Sequence, residues 1–249
     1  MKNYKITIEY DGTFFNGWQV QTKNLRTVQG EIQKALKIIF KRNVLLIGSG
    51  RTDKGVHALG QTAHFKAETQ MPTDEILRAL NANLPDDIAI VQIKKVSENF
   101  HAQYNAKSKT YRYTLLNRAT PSPQARLFYF FYPYSLNLSL MKKEAKHLLG
   151  KHDFKSFQSK DPSRPERGKD TIRTILSLNI KKKKGFIIID LTANGFLYKM
   201  ARTIVGTLID IGRGKLPSGT IKKLLKEKNR AQASPTAQAK GLCLLKVEY

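Results

Sequence analysis

A chain of 249 residues has room for one large domain or two of about 125, and an apolar content of 41% is enough for a packed core. No stretch of 18 or more apolar residues occurs, which excludes a membrane-spanning helix, and one cysteine, Cys243, excludes an internal disulfide. The 44 Lys/Arg against 19 Asp/Glu leave a formal net charge of +25, which points to a polyanionic partner, nucleic acid before all others.

The charge is uneven. Residues 1–105 carry 14 basic and 10 acidic residues, whereas residues 106–249 carry 30 and 9. An anionic membrane surface is the rival partner, but no long amphipathic helix rich in Trp and Phe supports it. The start, MKNYKITIEYDG, has no signal-peptide core, so the expected compartment is the cytoplasm.

Tyr4, Ile6, Ile8 and Tyr10 alternate with Lys5, Thr7 and Glu9 and predict a strand that Asp11-Gly12 stops. The loop 13–24 holds Phe14, Phe15 and Trp18, either core anchors or base-stacking surfaces. Thr27 suits a helix cap, and Val28, Ile32, Ala35, Leu36 and Ile39 follow on one helical face. The apolar run 44–47 is the next strand. It opens into Gly48-Ser49-Gly50-Arg51-Thr52-Asp53-Lys54-Gly55, read either as a solvated turn or as a rigid loop presenting polar groups. Strand 57–65 follows, then a helix from Pro72-Thr73-Asp74-Glu75 with a cap and acids in its first turn, then strand 88–96. Strand, helix, strand, strand, helix, strand is the ferredoxin-like order, with an antiparallel sheet, both helices on one face and the other face free.

The second half repeats this order with insertions. The predicted elements are strand 109–116, helix 138–149, a hairpin of 172–180 and 185–191 around Lys181–Lys184, helix 197–211, a basic helix 221–228 and a closing strand 241–247. The stretches 117–133 and 157–170 read as loops. The fold expected is therefore α+β: two ferredoxin-like βαββαβ halves, 1–105 and 106–249, with the active cleft between them. Arg202 lies on the flank of the apolar stripe of helix 197–211. Two readings stand: a guanidinium paired with a carboxylate such as Asp53, or one that snorkels beside Lys199.

Several chemistries can be set aside. GSGRTDKGV lacks the Lys-Ser/Thr that a phosphate-binding P-loop needs after its last glycine. His147 and His152 have neither Cys nor a paired acid for a metal site, and His57 reads as a structural histidine. No GxSxG elbow and no carboxylate pair is evident. What remains is one carboxylate, Asp53, between Arg51 and Lys54, with Tyr111 or Tyr113 available to stack a base. A nucleophilic Asp acting on a base flipped out of RNA fits this set. A non-catalytic RNA-binding protein, a nucleoside hydrolase or base-exchange enzyme, and an enzyme of the same chemistry acting at a different RNA site are the alternatives.

The segment GRTDKGVHA (50–58) resembles the catalytic signature of the tRNA pseudouridine synthase A family. Tyr10-Asp11-Gly12, Gly17-Trp18-Gln19, Thr27-Val28-Gln29, KTYRY (109–113), GFLYKMARTIVG (195–206) and GLCL (241–244) resemble its other motifs in order. Ala201 stands where Val is usual, and Tyr198-Lys199 where His or Arg is common. The resemblance implies the pseudouridine synthase fold and isomerisation of uridine at positions 38, 39 and 40 of the tRNA anticodon stem-loop. It also implies a homodimer with neither cofactor nor metal. It assigns Asp53 as nucleophile, Tyr111 stacked on the uracil, Arg202 as partner of Asp53, Arg51 in base flipping and Leu242 against the uracil.

Overall fold

The computed structural model describes residues 1–21, 25–160 and 170–249. They form two compact units: Met1–Lys107 with Cys243–Tyr249, and Ser108–Leu242.

The first unit runs β1 (Lys2–Tyr10), α1 (Val28–Phe40), β2 (Leu46–Gly48), β3 (His57–Ala67), α2 (Thr73–Ala82) and β4 (Ile88–Val96). Its strands lie in the order β4-β1-β3-β2, all antiparallel. Tyr4, Ile6, Ile8 and Tyr10 are buried, as the alternation predicts. Tyr4 stacks on Phe65, which in turn meets Phe40 of α1, and α1 packs on α2. Thr27 caps α1 by accepting the Gly30 N–H at 3.3 Å. α2 has no side-chain cap; Pro72 occupies the cap position, and Asp74 and Glu75 fill the first turn.

The other face of this sheet is only partly free: Glu9, Ala89 and Gln92 on it are exposed, but the end at Asn3 and His64 is covered. The chain after β4 folds back over it. Asn3 donates to the carbonyls of Ser97 and Phe100 at 2.9 Å each, and His64 Nδ1 accepts the Ala102 N–H at 3.1 Å. Tyr249 donates to the Ala102 carbonyl, and Lys5 lies over the rings of Phe100 and Tyr249. Burial pushes His64 down to about 4, helped by the nearby His101 ring and Lys66.

The second unit runs β5 (Ser108–Leu116), β6 (Phe130–Phe131), α3 (Leu138–Ala145), β7 (Gly150–Asp153), β8 (Ile172–Lys183), β9 (Phe186–Ala193), α4 (Met200–Gly212) and α5 (Thr220–Glu227). The sheet order is β5-β9-β8-β7, antiparallel, with β6 parallel to β5. The helix expected over 138–149 breaks after Ala145 into a 3-10 turn, Lys146–Leu148. Strand β7 is absent from the sequence reading because Gly-Lys-His-Asp has no apolar alternation. The helix expected from 197 begins at Met200, because Lys199 sits at φ 59. The β8–β9 turn sets Lys184 and Gly185 at φ 49 and 80, the positive values that tight hairpin turns require. Of the loop expected over 157–170, residues 161–169 lie outside the described residues.

The closing strand, β10 (Leu242–Glu248), was expected with the second half. Its residues from Cys243 on belong to the first unit, where Cys243 and Leu244 pair in parallel with His57 and Ala58 of β3. β2 covers β3 only over Ala63–Phe65, so the start of β3 is open to this partner. Among the described residues, no helix is long and apolar enough to cross a membrane.

Candidate active site

The loop 49–56 of the first unit is held from behind. Ser49 donates its N–H to the Thr62 carbonyl at 2.7 Å and its hydroxyl to Gln61 Oε1 at 2.7 Å, and Gln61 donates to the Gly50 carbonyl at 3.0 Å. Thr52 is buried. Its hydroxyl meets the Tyr10 hydroxyl at 2.8 Å, and its carbonyl accepts the Trp18 N–H at 3.1 Å. The Asp53 carbonyl closes a turn onto the Val56 N–H at 3.1 Å, with Gly55 at φ 77. With Thr52 anchored inside, its neighbours are turned outward: Arg51 is exposed and Asp53 half-buried.

Two glycines make the clamp possible. A Cβ on Gly12 would lie 1.9 Å from the Val56 carbonyl oxygen, and one on Gly17 (φ 91) 2.7 Å from that of Thr52. Phe15 and Trp18 are core anchors, each 1% exposed, whereas Phe14 projects into solvent. His57 is a structural residue of this clamp. Its Nδ1 accepts the Gly12 N–H at 3.1 Å, so the proximity of Asp11 Oδ1 to the same nitrogen is not an ion pair in that tautomer. Asp11 is engaged by the backbone N–H and hydroxyl of Thr13.

In the second unit, β5 turns Lys109, Tyr111 and Tyr113 to one side, while Arg112 on the other makes a two-pronged ion pair with Asp190. Of the two candidate stacking tyrosines, Tyr113 is fully buried and donates to the Gln238 carbonyl at 2.8 Å. Burial pushes its hydroxyl up against the opposing charge of Arg202. Tyr111 is 8% exposed and meets the ring of Phe196 edge-on at 5.0 Å. Burial also brings Lys109, two residues before it, down to about 8.

Arg202 is half-buried on the first turn of α4. Its Nε donates to the Ala237 carbonyl at 2.8 Å, and its own carbonyl accepts the Ala237 N–H at 3.1 Å. The segment carrying Ala237 lies tight on α4, because a Cβ on Gly206 would come 2.2 Å from the Pro235 carbonyl oxygen. Leu242, 5% exposed, follows this segment after Gly241, which touches the Tyr113 ring. Sequence reasoning missed the roles of Ala237, Phe196 and Lys109. A glycine inside a helix, here Gly206, was the one local signal of a close approach.

The family model described as tRNA pseudouridine synthase matches residues 6–105 and 145–249. "tRNA pseudouridine synthase A" of Thermoanaerobacter sp. (strain X514) is 47% identical over 249 residues, covering all of both chains. Proteins of the same name from Caldicellulosiruptor bescii and Clostridium acetobutylicum are 43% and 42% identical, again over the full length of both chains. The family model spans the clamped Asp53 loop and the Arg202 helix, and the full-length relatives span the Tyr111 strand as well. The chain belongs to the tRNA pseudouridine synthase family, whose chemistry is the isomerisation of uridine to pseudouridine in tRNA.

Proposed function

We propose that this enzyme converts uridine to pseudouridine at positions 38, 39 and 40 of the tRNA anticodon stem-loop, with Asp53 as nucleophile. The observation that carries this reading is the loop of Arg51, Thr52 and Asp53: a buried threonine tethered on two sides, with a guanidinium and a carboxylate turned outward beside it. In this reading Asp53 belongs to the half 1–105, and Tyr111, Arg202 and Leu242 to the half 106–249.

The Asp53 carboxylate adds to the flipped nucleotide, at C1′ of the ribose or C6 of the base. The N1–C1′ bond breaks, the uracil turns, and C5 bonds to C1′. Where C1′ was attacked, formation of the C5–C1′ bond expels the carboxylate; where C6 was attacked, the carboxylate leaves C6 as the ring regains its double bond; C5 loses its proton and N1 gains one. The exchange balances without oxidant, reductant or cofactor. Tyr111 stacks on the uracil, with Leu242 on its opposite side. Arg202 orients the Asp53 carboxylate, and Arg51 assists flipping or fills the place of the extracted base.

Lys181–Lys184, at the tip of the β8–β9 hairpin, supply phosphate contacts. The stretch 156–169 is assigned the same role, and its residues 161–169 lie outside the described residues. Tolerance of three adjacent positions fits recognition by shape and backbone. The working form is a cytoplasmic homodimer with tRNA touching both subunits. Light scattering checks the dimer against twice 28.3 kDa.

The decisive experiment uses tRNA tritiated at C5 of uracil. The enzyme releases tritium, and Asp53→Asn binds the same tRNA without releasing it. A near-normal rate in that variant removes Asp53 from the chemistry, and free uracil among the products identifies a hydrolase instead.

A further inference from the structure

In the second unit, α3 and its 3-10 extension run against α5. Met141, Ala145 and Leu148 are buried on the first helix, and Ile221 and Leu224 on the second. The outward positions are lysines: Lys142, Lys143 and Lys146 on one, Lys222, Lys223 and Lys226 on the other, all exposed. Lys223 lies 3.9 Å from Glu227. The other five have no ion pair among the described residues.

One acid on α3 would be expected to offset them, but Glu144 is turned inward and wholly buried. Its Oε1 accepts the Gly219 N–H at 2.7 Å and the Ser218 hydroxyl at 3.1 Å, and its Oε2 the Ile221 N–H at 3.2 Å, so it caps α5. Burial works against its ionisation, but these donors outweigh it and hold the carboxyl below its usual range. The negative charge of this region is spent on fold, and the positive charge is left on the surface.

Lys142 and Lys146, and likewise Lys222 and Lys226, are four apart, a spacing at which like charges weaken a helix. Two such pairs on neighbouring helices are a cost that an anionic partner relieves. The regular polyanion already in play is the tRNA backbone. We infer that the lysine face of α3 and α5 is a second RNA-binding surface, which grips phosphates of the tRNA body outside the anticodon stem-loop. This rests on tRNA being the substrate.

The test compares full-length tRNA transcript with the isolated anticodon stem-loop, across a salt series. Substituting Lys142, Lys143, Lys146, Lys222 and Lys226 by Gln is expected to weaken binding of full-length tRNA about 10- to 100-fold at low salt and to flatten its salt dependence by about three to five phosphate contacts. Binding of the stem-loop is expected to stay within about twofold, and the melting temperature to rise as repulsion is removed. The same five sites changed to Arg should keep both affinity and salt slope. Should the fivefold variant not fold, the pair Lys222→Gln and Lys226→Gln gives a smaller version of the same split.

Unchanged affinity for full-length tRNA overturns the inference, as does an equal loss on both RNAs, which would mark general electrostatics. Loss of flotation with phosphatidylserine vesicles while tRNA binding persists overturns it in favour of a membrane. Tritium release by the unsubstituted enzyme is measured in parallel. If that release fails, the proposed reaction is wrong, whatever the binding result.

Discussion

The two units start from the same order of strands and helices and dispose of their charges in opposite ways. In the first, each helix carries an ion pair on its exposed face: Lys34 with Glu31 at 3.0 Å on α1, and Arg78 with Asp74 at 3.2 Å on α2. In the second, α3 and α5 carry five lysines without an acidic partner among the described residues, and the glutamate of α3 is buried as a cap on α5. The internal scaffolds differ in the same sense. The first unit spends its close contacts on clamping one short loop, at Gly12, Gly17, Thr52 and Tyr10. The second spends them on seating the segment 234–237 against α4, at Gly206, Thr203 and Thr207. One supersecondary plan thus supports a clamped polar loop in one place and a lysine-covered surface in the other.

Five substitutions sharpen that contrast. Asp53→Asn should have the largest effect, a loss of tritium release of about a thousandfold or more with tRNA affinity kept, because it replaces the anionic carboxylate proposed as nucleophile by a neutral amide of the same shape. Next come Gly12→Ala and Gly206→Ala, each of which drives a methyl group into a backbone carbonyl. Each should cost about 3 kcal/mol in urea unfolding. Gly12→Ala should also lower kcat by displacing the Asp53 loop, whereas Gly206→Ala acts through the seat of Arg202. Wild-type melting in either variant would show that the contacts yield freely.

Tyr10→Phe is smaller. It strips the buried Thr52 hydroxyl of its partner and should cost about 1 to 2 kcal/mol, with kcat falling more than KM rises. A change in KM alone would mean that Thr52 does not hold the loop.

The smallest effect is a pH dependence seated in the first unit. The folded protein holds His64 near 4 against about 6.5 when unfolded, so the unfolded chain binds the extra proton first. Stability is therefore full above pH 6.5 and declines as the pH falls toward 4. The expected loss is of the order of 1 kcal/mol between pH 6.5 and 5 once partial screening by solvent is allowed for. His64→Asn keeps an acceptor for the Ala102 N–H and should flatten that part of the curve. A curve unchanged by the substitution would place the acid sensitivity elsewhere.

Much of this molecule was legible before any coordinates. Period-two alternation in β1 and the 3.6-residue stripe of α1 follow from which side chains must leave water, and both elements form where those patterns lie. The cluster from Gly50 to Ala58, with the later Tyr and Arg motifs, was enough to place the chain in its family, and the comparisons bear that out. Local patterns did not contain β7, a polar edge strand. They did not contain the pairing of Cys243 and Leu244 with β3 either, since parallel partners meet only after the whole chain is folded. The inward turn of Glu144 is of the same kind. Its position on an otherwise basic helix reads as surface charge, and only the N–H groups of Gly219 and Ile221, 75 and 77 residues away, make its burial favourable. Sequence alone determined the family and which groups are the candidates for its chemistry, because residue identity is local. Tertiary structure decided which of them are anchored, exposed or relieved of charge, because hydrogen-bond partners and burial are set by contacts between distant parts of the chain.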